Sequence, residues 1–214
     1  MARHGRYLLP VLIALAAPTV AWAQSVEAVR ADDRTVGSVT APVTLTVYLS
    51  TTCGHCAAWH TEDLPALKAR YVDTGQVRIA YRDLPTPPQQ VAVVGTVMAR
   101  CAPAEKYDAV LDALFLGQAR LQAAPAEAQR EAVTGWLFAG GVAGGLTPDQ
   151  MNACFADQAN FAEVQDRAEQ AFADGVSSTP SFFINGERVP DAALLQSRGV
   201  AAFEPLIQPL LDAR

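Results

Sequence analysis

The stretch Val43-Thr44-Leu45-Thr46-Val47-Tyr48-Leu49-Ser50-Thr51-Thr52-Cys53-Gly54-His55-Cys56 decides the fold. Its first half is β-branched and aromatic, the composition of a buried strand over 43–50. The pattern then changes. Trp59, Leu64, Leu67 and Tyr71 recur at helical spacing, with Pro65 predicting a kink. Two cysteines separated by two residues therefore stand where a strand runs into a helix. Asp73-Thr74-Gly75 ends that helix, and Val77, Ile79 and Tyr81 alternating with Arg78, Ala80 and Arg82 make a second strand. Strand, helix and strand form a βαβ unit, in which parallel pairing and a right-handed crossover are expected.

The junction carries the chemistry. A thiolate at a helix N-terminus faces unpaired backbone N–H groups and the positive end of the helix dipole. Cys53 is therefore expected to be the exposed, acidic nucleophile, in the range of about 3.5 to 7 that such dithiols span, against roughly 8.5 for a free cysteine. His55, protonated or donating, adds to that stabilisation. Cys56, one turn in, is expected to be buried and to act as the resolving thiol. Favouring the thiolate favours the reduced form, so the disulfide form is readily handed to a substrate, which is how an oxidant behaves. Two blander readings of the pair are weaker. A zinc site needs a second close cysteine pair or two histidines. His55 and His60 adjoin the dithiol itself, His4 lies near the N-terminus, and Cys101 and Cys154 are far apart, so no metal is expected. An inert structural disulfide does not require the strand-to-helix setting.

Outward on the N-terminal side, 24–42 is polar and turn-rich with neither helical nor strand period. Before it, Arg3 and Arg6 precede an apolar run from Tyr7 to Val20, and Ala21-Trp22-Ala23 has the small-x-small pattern of a signal peptide cleaved after Ala23. The run is short of the roughly 20 residues that a spanning helix needs. Losing Arg3 and Arg6 with no acidic residue takes the net charge from −6 to −8. So acidic a chain argues against nucleic acid, whose phosphates demand clustered Lys and Arg. With half its residues apolar and 18% charged, the chain suits one globular unit.

Export to the periplasm puts Cys53, Cys56, Cys101 and Cys154 in an oxidising compartment. The close pair is Cys53 with Cys56, which leaves Cys101 with Cys154. For these two a structural disulfide tying two helices is the reading taken, with a second redox pair and two buried free thiols as alternatives. Residues 89–175 show no strand. They read as helices at Gln89–Ala102, Ala104–Gln118, Ala124–Phe138, Pro148–Ala156 and Asn160–Asp174, with a loop at Gly140-Gly141 and Gly144-Gly145. Ser181 to Ile184 is a short strand, Asn185-Gly186 a hairpin turn, and Glu187 to Val189 the returning strand. Asp191 caps a helix, and Phe203 to Leu211 is a last amphipathic segment broken by Pro205 and Pro209. The order is an α/β thioredoxin fold. The βαβ half is 24–88, the helical insertion 89–175 and the ββα half 176–214. Trp59 reads as core, His60 as an exposed helix residue, and Arg78 and Arg82 as a solvated face.

Ala41-Pro42-Val43-Thr44, Thr52-Cys53-Gly54-His55-Cys56, Tyr81-Arg82-Asp83-Leu84-Pro85 and Gly175-Val176-Ser177-Ser178-Thr179-Pro180-Ser181-Phe182-Phe183-Ile184-Asn185-Gly186 together resemble the DsbA-type thioredoxin family. The resemblance spans 33–190 with its motifs in family order. It implies that Thr179-Pro180 is a cis-proline loop facing the dithiol and meeting substrate, and that the activity is a protein thiol:disulfide oxidoreductase needing no cofactor. The implied partners are reduced, unfolded secreted proteins and a DsbB-like membrane quinone reductase, with the protein itself a monomer. One departure is Val47, where many relatives carry a buried carboxylate. An isomerase or reductase of the same fold, or a non-catalytic peptide-binding module, are the alternatives; about 20 residues between cleavage site and first strand leave no room for an isomerase's dimerisation domain.

Overall fold

The computed structural model describes Met1, residues 25–196 and residues 198–213. The signal peptide expected over 1–23 lies outside the described residues, Met1 apart. Five strands form one mixed sheet: β1 (Arg34–Val36), β2 (Val43–Leu49), β3 (Val77–Asp83), β4 (Ser181–Ile184) and β5 (Glu187–Arg188), in the order β1-β3-β2-β4-β5. β2 and β3 are parallel, Val43 opposite Val77 and Leu49 opposite Asp83, and the other neighbours are antiparallel. β1 lies within 24–42, a segment read as a turn-rich lead-in without strand period. Its three half-buried residues have no period of their own, and the pairing comes from β3.

The two-residue period of β2 splits the core. Val43, Leu45, Val47 and Leu49 point into the larger cluster, while Tyr48 joins Leu84, Ala171, Val176 and Phe183 on the opposite face. The larger cluster is closed by the helical run over 54–72 and by further helices, among them α4 (Tyr107–Ala123) and α9 (Val200–Asp212). The run begins as α1 (Gly54–Ala58) and includes α2 (Leu64–Leu67) between two wide-turned segments, Trp59–Asp63 and Lys68–Val72. The helical run continues through Pro65: Leu64 N–H bonds the Trp59 carbonyl five residues back, so the helix widens around the missing donor. α9 likewise stays helical through Pro205 and Pro209, correcting the expected break, with Ala202, Phe203 and Ile207 buried against the core.

Between β3 and β4 the chain forms α3 (Gln89–Cys101), α4, α5 (Gln129–Ala143), α6 (Pro148–Ala156) and α7 (Gln158–Ala173), and α8 (Asp191–Gln196) precedes α9. Gly140 and Gly141 lie inside α5, not in the expected loop. A Cβ on Gly140 would stand 2.8 Å from Leu114 Cδ2, and one on Gly141 would run into Met151, so these glycines let helices touch. Among the described residues no helix is long and apolar enough to cross a membrane.

Candidate active site

β2 stops at Leu49 because the next three residues turn their side chains into hydrogen bonds. Ser50 Oγ lies 3.2 Å from Thr52 Oγ1 and accepts from Thr86 N–H at 3.0 Å; Thr51 Oγ1 donates to the Ala92 carbonyl at 3.1 Å. The loop thus anchored delivers Cys53 to the N-cap of α1 with extended backbone, φ −77° and ψ 119°. There its Sγ accepts from Cys56 N–H at 3.3 Å. A cap oxygen normally fills this place; here a sulfur does.

The consequence is acidity. The Cys53 thiol is pulled down to about 5, first by the hydrogen bond from the Cys56 side chain, with the Thr179 side chain and the Cys56 and His55 backbone adding to it against the opposing effect of burial. Cys56 goes the other way. It is 1% exposed, and burial, with Cys53 beside it, holds its thiol well above the ordinary value. Both cysteines are free thiols. His55 helps through its main chain; its ring is exposed at the surface.

The Thr179–Pro180 peptide is cis and stands beside the dithiol: the Cys53 thiol donates to the Thr179 carbonyl at 3.2 Å. The Thr179 hydroxyl is buried and closes no hydrogen bond of ordinary geometry. From this point a groove of about 550 Å³ opens, with His55, Trp59, Pro180, Phe182, Phe203 and Arg198 among its walls. Trp59 is core and groove wall at once, its ring centroid 5.1 Å from that of Phe182.

Elsewhere, Cys101 and Cys154 are joined in a disulfide, Cα atoms 6.1 Å apart, between α3 and α6. His60 is not exposed. It is 2% accessible, bonded through Nε2 to Asp112 Oδ1 at 2.7 Å and packed on Phe115. Nor is Arg82 solvated: it is buried against Asp33 at 2.9 Å and bonds the Tyr48 hydroxyl at 3.0 Å. Arg78 is half-buried and donates to Thr44 Oγ1 at 3.2 Å. Strand alternation alone had turned both arginines outward, but the N-terminal segment that carries Asp33 covers that face. Sequence reading also passed over Gln118 and Gln122, which reach the cysteine loop from α4. The available signal was a glutamine within the otherwise apolar stripe of Val110, Leu111, Leu114, Phe115 and Leu121.

Curated relatives are similar over most of this chain. A Rickettsia typhi protein named "Putative protein-disulfide oxidoreductase" is 28% identical over 156 residues, covering 72% of this chain and 55% of its own. A Rickettsia conorii protein of the same description is 27% identical over 157 residues, covering 72% and 54%. The chain thus spans about half the length of the curated relatives it matches. Among solved structures, Wolbachia pipientis alpha-DsbA1 has the same fold at a TM-score of 0.68 and 21% identity, covering 85% of this chain and 92% of that one. BdbD from Bacillus subtilis superposes at 0.70 with 14% identity, covering 89% and 98%. A family model described as thioredoxin matches residues 30–201. The chain therefore belongs to the thioredoxin family, in the DsbA-type form of its fold.

Proposed function

We propose that this protein is a periplasmic thiol:disulfide oxidoreductase that donates a Cys53–Cys56 disulfide to reduced, unfolded secreted proteins. One observation carries the reading: the Cys53 sulfur is an acidic N-cap, half-buried beside the carbonyl of Thr179, a residue that lines the adjoining groove. In the reaction a client thiolate attacks Cys53 Sγ. The Cys53–Cys56 bond breaks, Cys56 leaves as a thiolate and takes up a proton, and a mixed disulfide joins client to Cys53. A second client thiolate then attacks the client sulfur of that bond, forming the client disulfide and expelling Cys53 as a thiolate. Two electrons pass to the enzyme. The acidity of Cys53 makes it the better leaving group in the second step, which drives the exchange toward the oxidised client.

In this reading Cys53 is the nucleophile, Cys56 the resolving thiol, and Thr179 and Pro180 the loop against which a client chain lies in strand-like pairing. His55 supports the thiolate, and Cys101–Cys154 is a structural tie within the inserted helices. The working units are the βαβ half with the dithiol, 24–88, the insertion, 89–175, and the ββα half, 176–214. The leader ending at Ala23 directs export, the protein acts as a monomer, and a DsbB-like membrane quinone reductase re-forms the disulfide. Neither metal nor cofactor enters the exchange. The test is Cys53→Ser assayed for oxidation of a reduced, unfolded protein and for peptide binding. Loss of oxidation with binding retained is expected; oxidation unaffected by the change refutes the proposal. A potential near thioredoxin's, about −270 mV, would make the protein a reductase instead.

A further inference from the structure

We propose that Gln118 and Gln122 are positioning residues for Cys53, their carboxamides setting its acidity by neutralising the carbonyl dipoles of the loop that carries it. The proposal rests on the reading of Cys53 as the reactive thiolate. Gln118 is 4% exposed on the apolar face of α4, where an unpartnered carboxamide would be costly. It is partnered by main chain alone on its donor side: Nε2 donates to the Thr51 carbonyl at 3.0 Å and to the Cys53 carbonyl at 3.2 Å. Gln122, one turn on, donates from Nε2 to the Thr52 carbonyl at 3.5 Å and to Gln118 Oε1 at 3.2 Å. Every carbonyl from Thr51 to Cys53 thus receives a donor from one helix.

Those carbonyls matter electrostatically. The Cys53 carbonyl already accepts from Ala57 N–H at 3.0 Å, so its second lone pair is the one Gln118 covers. Uncovered, the oxygens of Thr51 and Cys53 would leave unpartnered negative dipole ends in the short loop that carries the ionised sulfur, in a setting of low dielectric that magnifies the effect. The same carboxamide adjoins the residues between the cysteines: Gln118 Oε1 lies 4.0 Å from the position a Cβ on Gly54 would take. Cys56 and His55 from its own helix and Thr179 from the loop before β4 act on the Cys53 sulfur directly. Asp63, Asp191 and Arg198 line the adjoining groove. None of them lies on α4, so the effect of Gln118 and Gln122 is separable from theirs by substitution.

The experiment is a titration of thiolate absorbance in the reduced full-length mature protein. Wild type is compared with Gln118→Leu, Gln122→Leu and Leu111→Val, the last loosening the α4 core away from the loop. Gln118→Leu is expected to raise the Cys53 midpoint by about one pH unit, a roughly tenfold shift in its ionisation equilibrium. Gln122→Leu, whose bond to the loop is longer, moves it the same way by about threefold, and it serves alone if the buried substitution prevents folding. Leu111→Val lowers the melting temperature and leaves the midpoint in place. The proposal is overturned if neither glutamine variant moves the midpoint, or if Leu111→Val moves it as far. A wild-type midpoint at the ordinary cysteine value would instead overturn the functional reading of Cys53, whatever the variants do relative to it.

Discussion

The pH dependence of stability in the reduced protein follows from the ionisation of Cys53. Its thiol titrates at about 5 in the folded dithiol, whereas the unfolded chain holds an ordinary cysteine near 8.5. A folded-state value below the unfolded one adds stability that is fully present above the unfolded value and is lost as pH falls through about 5. At pH 7 two of the pH units between these values are in play, which at 1.36 kcal/mol each is an upper figure of about 2.7 kcal/mol. Cys53 is only half-buried, so solvent screening reduces this to about 1 to 1.5 kcal/mol. The oxidised protein has no such thiol. On the disulfide couple, 1.4 kcal/mol corresponds to about 30 mV, in the direction of a stronger oxidant. The assay is urea unfolding of the oxidised and reduced forms at half-unit steps from pH 4 to 8, using a reductant mild enough to leave Cys101–Cys154 joined. The reduced-minus-oxidised stability should be flat below about pH 4.5 and rise by about 1 to 1.5 kcal/mol on reaching pH 7. A difference that stays constant over this range, or that begins to rise only above pH 8, would refute the acidity of Cys53 and the oxidant direction argued from it.

Other outcomes follow from the same structure. Cys56→Ser, presented with a client that already carries a disulfide, should accumulate the mixed disulfide, seen on a non-reducing gel: the Cys53 thiolate attacks the client bond and expels one client thiolate, and no Cys56 thiol remains to release the other sulfur. Asp33→Ala leaves Arg82, 5% exposed along its side chain, as an unpaired buried cation; urea unfolding should show a loss of about 3 to 5 kcal/mol. Replacing Cys101 and Cys154 together by serine opens a loop closed across 53 residues and should cost about 2 to 4 kcal/mol in the same assay. Gly140→Val forces a side chain to within 2.8 Å of Leu114 Cδ2 and should lower stability by about 1 to 3 kcal/mol through overpacking.

Local chemistry made much of the fold legible before any coordinates. The turn at Asn185-Gly186 is set by two residues that tolerate positive φ, here +49° and +89°, and the strand before it runs from Ser181 to Ile184 as its apolar run indicates. Thr147-Pro148 starts α6 at the residue expected, because a capping box and a first-turn proline act within four residues. The dithiol at the strand-to-helix junction was legible for the same reason: the change of period and the cysteine spacing lie within one short segment. What the sequence left open depends on residues far apart along the chain. Arg82 is buried because Asp33, 49 positions earlier, crosses its face, and β1 is a strand because β3 supplies its partners. His60 is buried because Phe115 and Asp112 of α4 close over it. Gln118 becomes part of the cysteine site because folding brings α4 against a loop some 65 residues away. Periodicity and turn preference are properties of neighbours in sequence, whereas burial and the partners of a charge are properties of neighbours in space, and only the packed tertiary structure determines those.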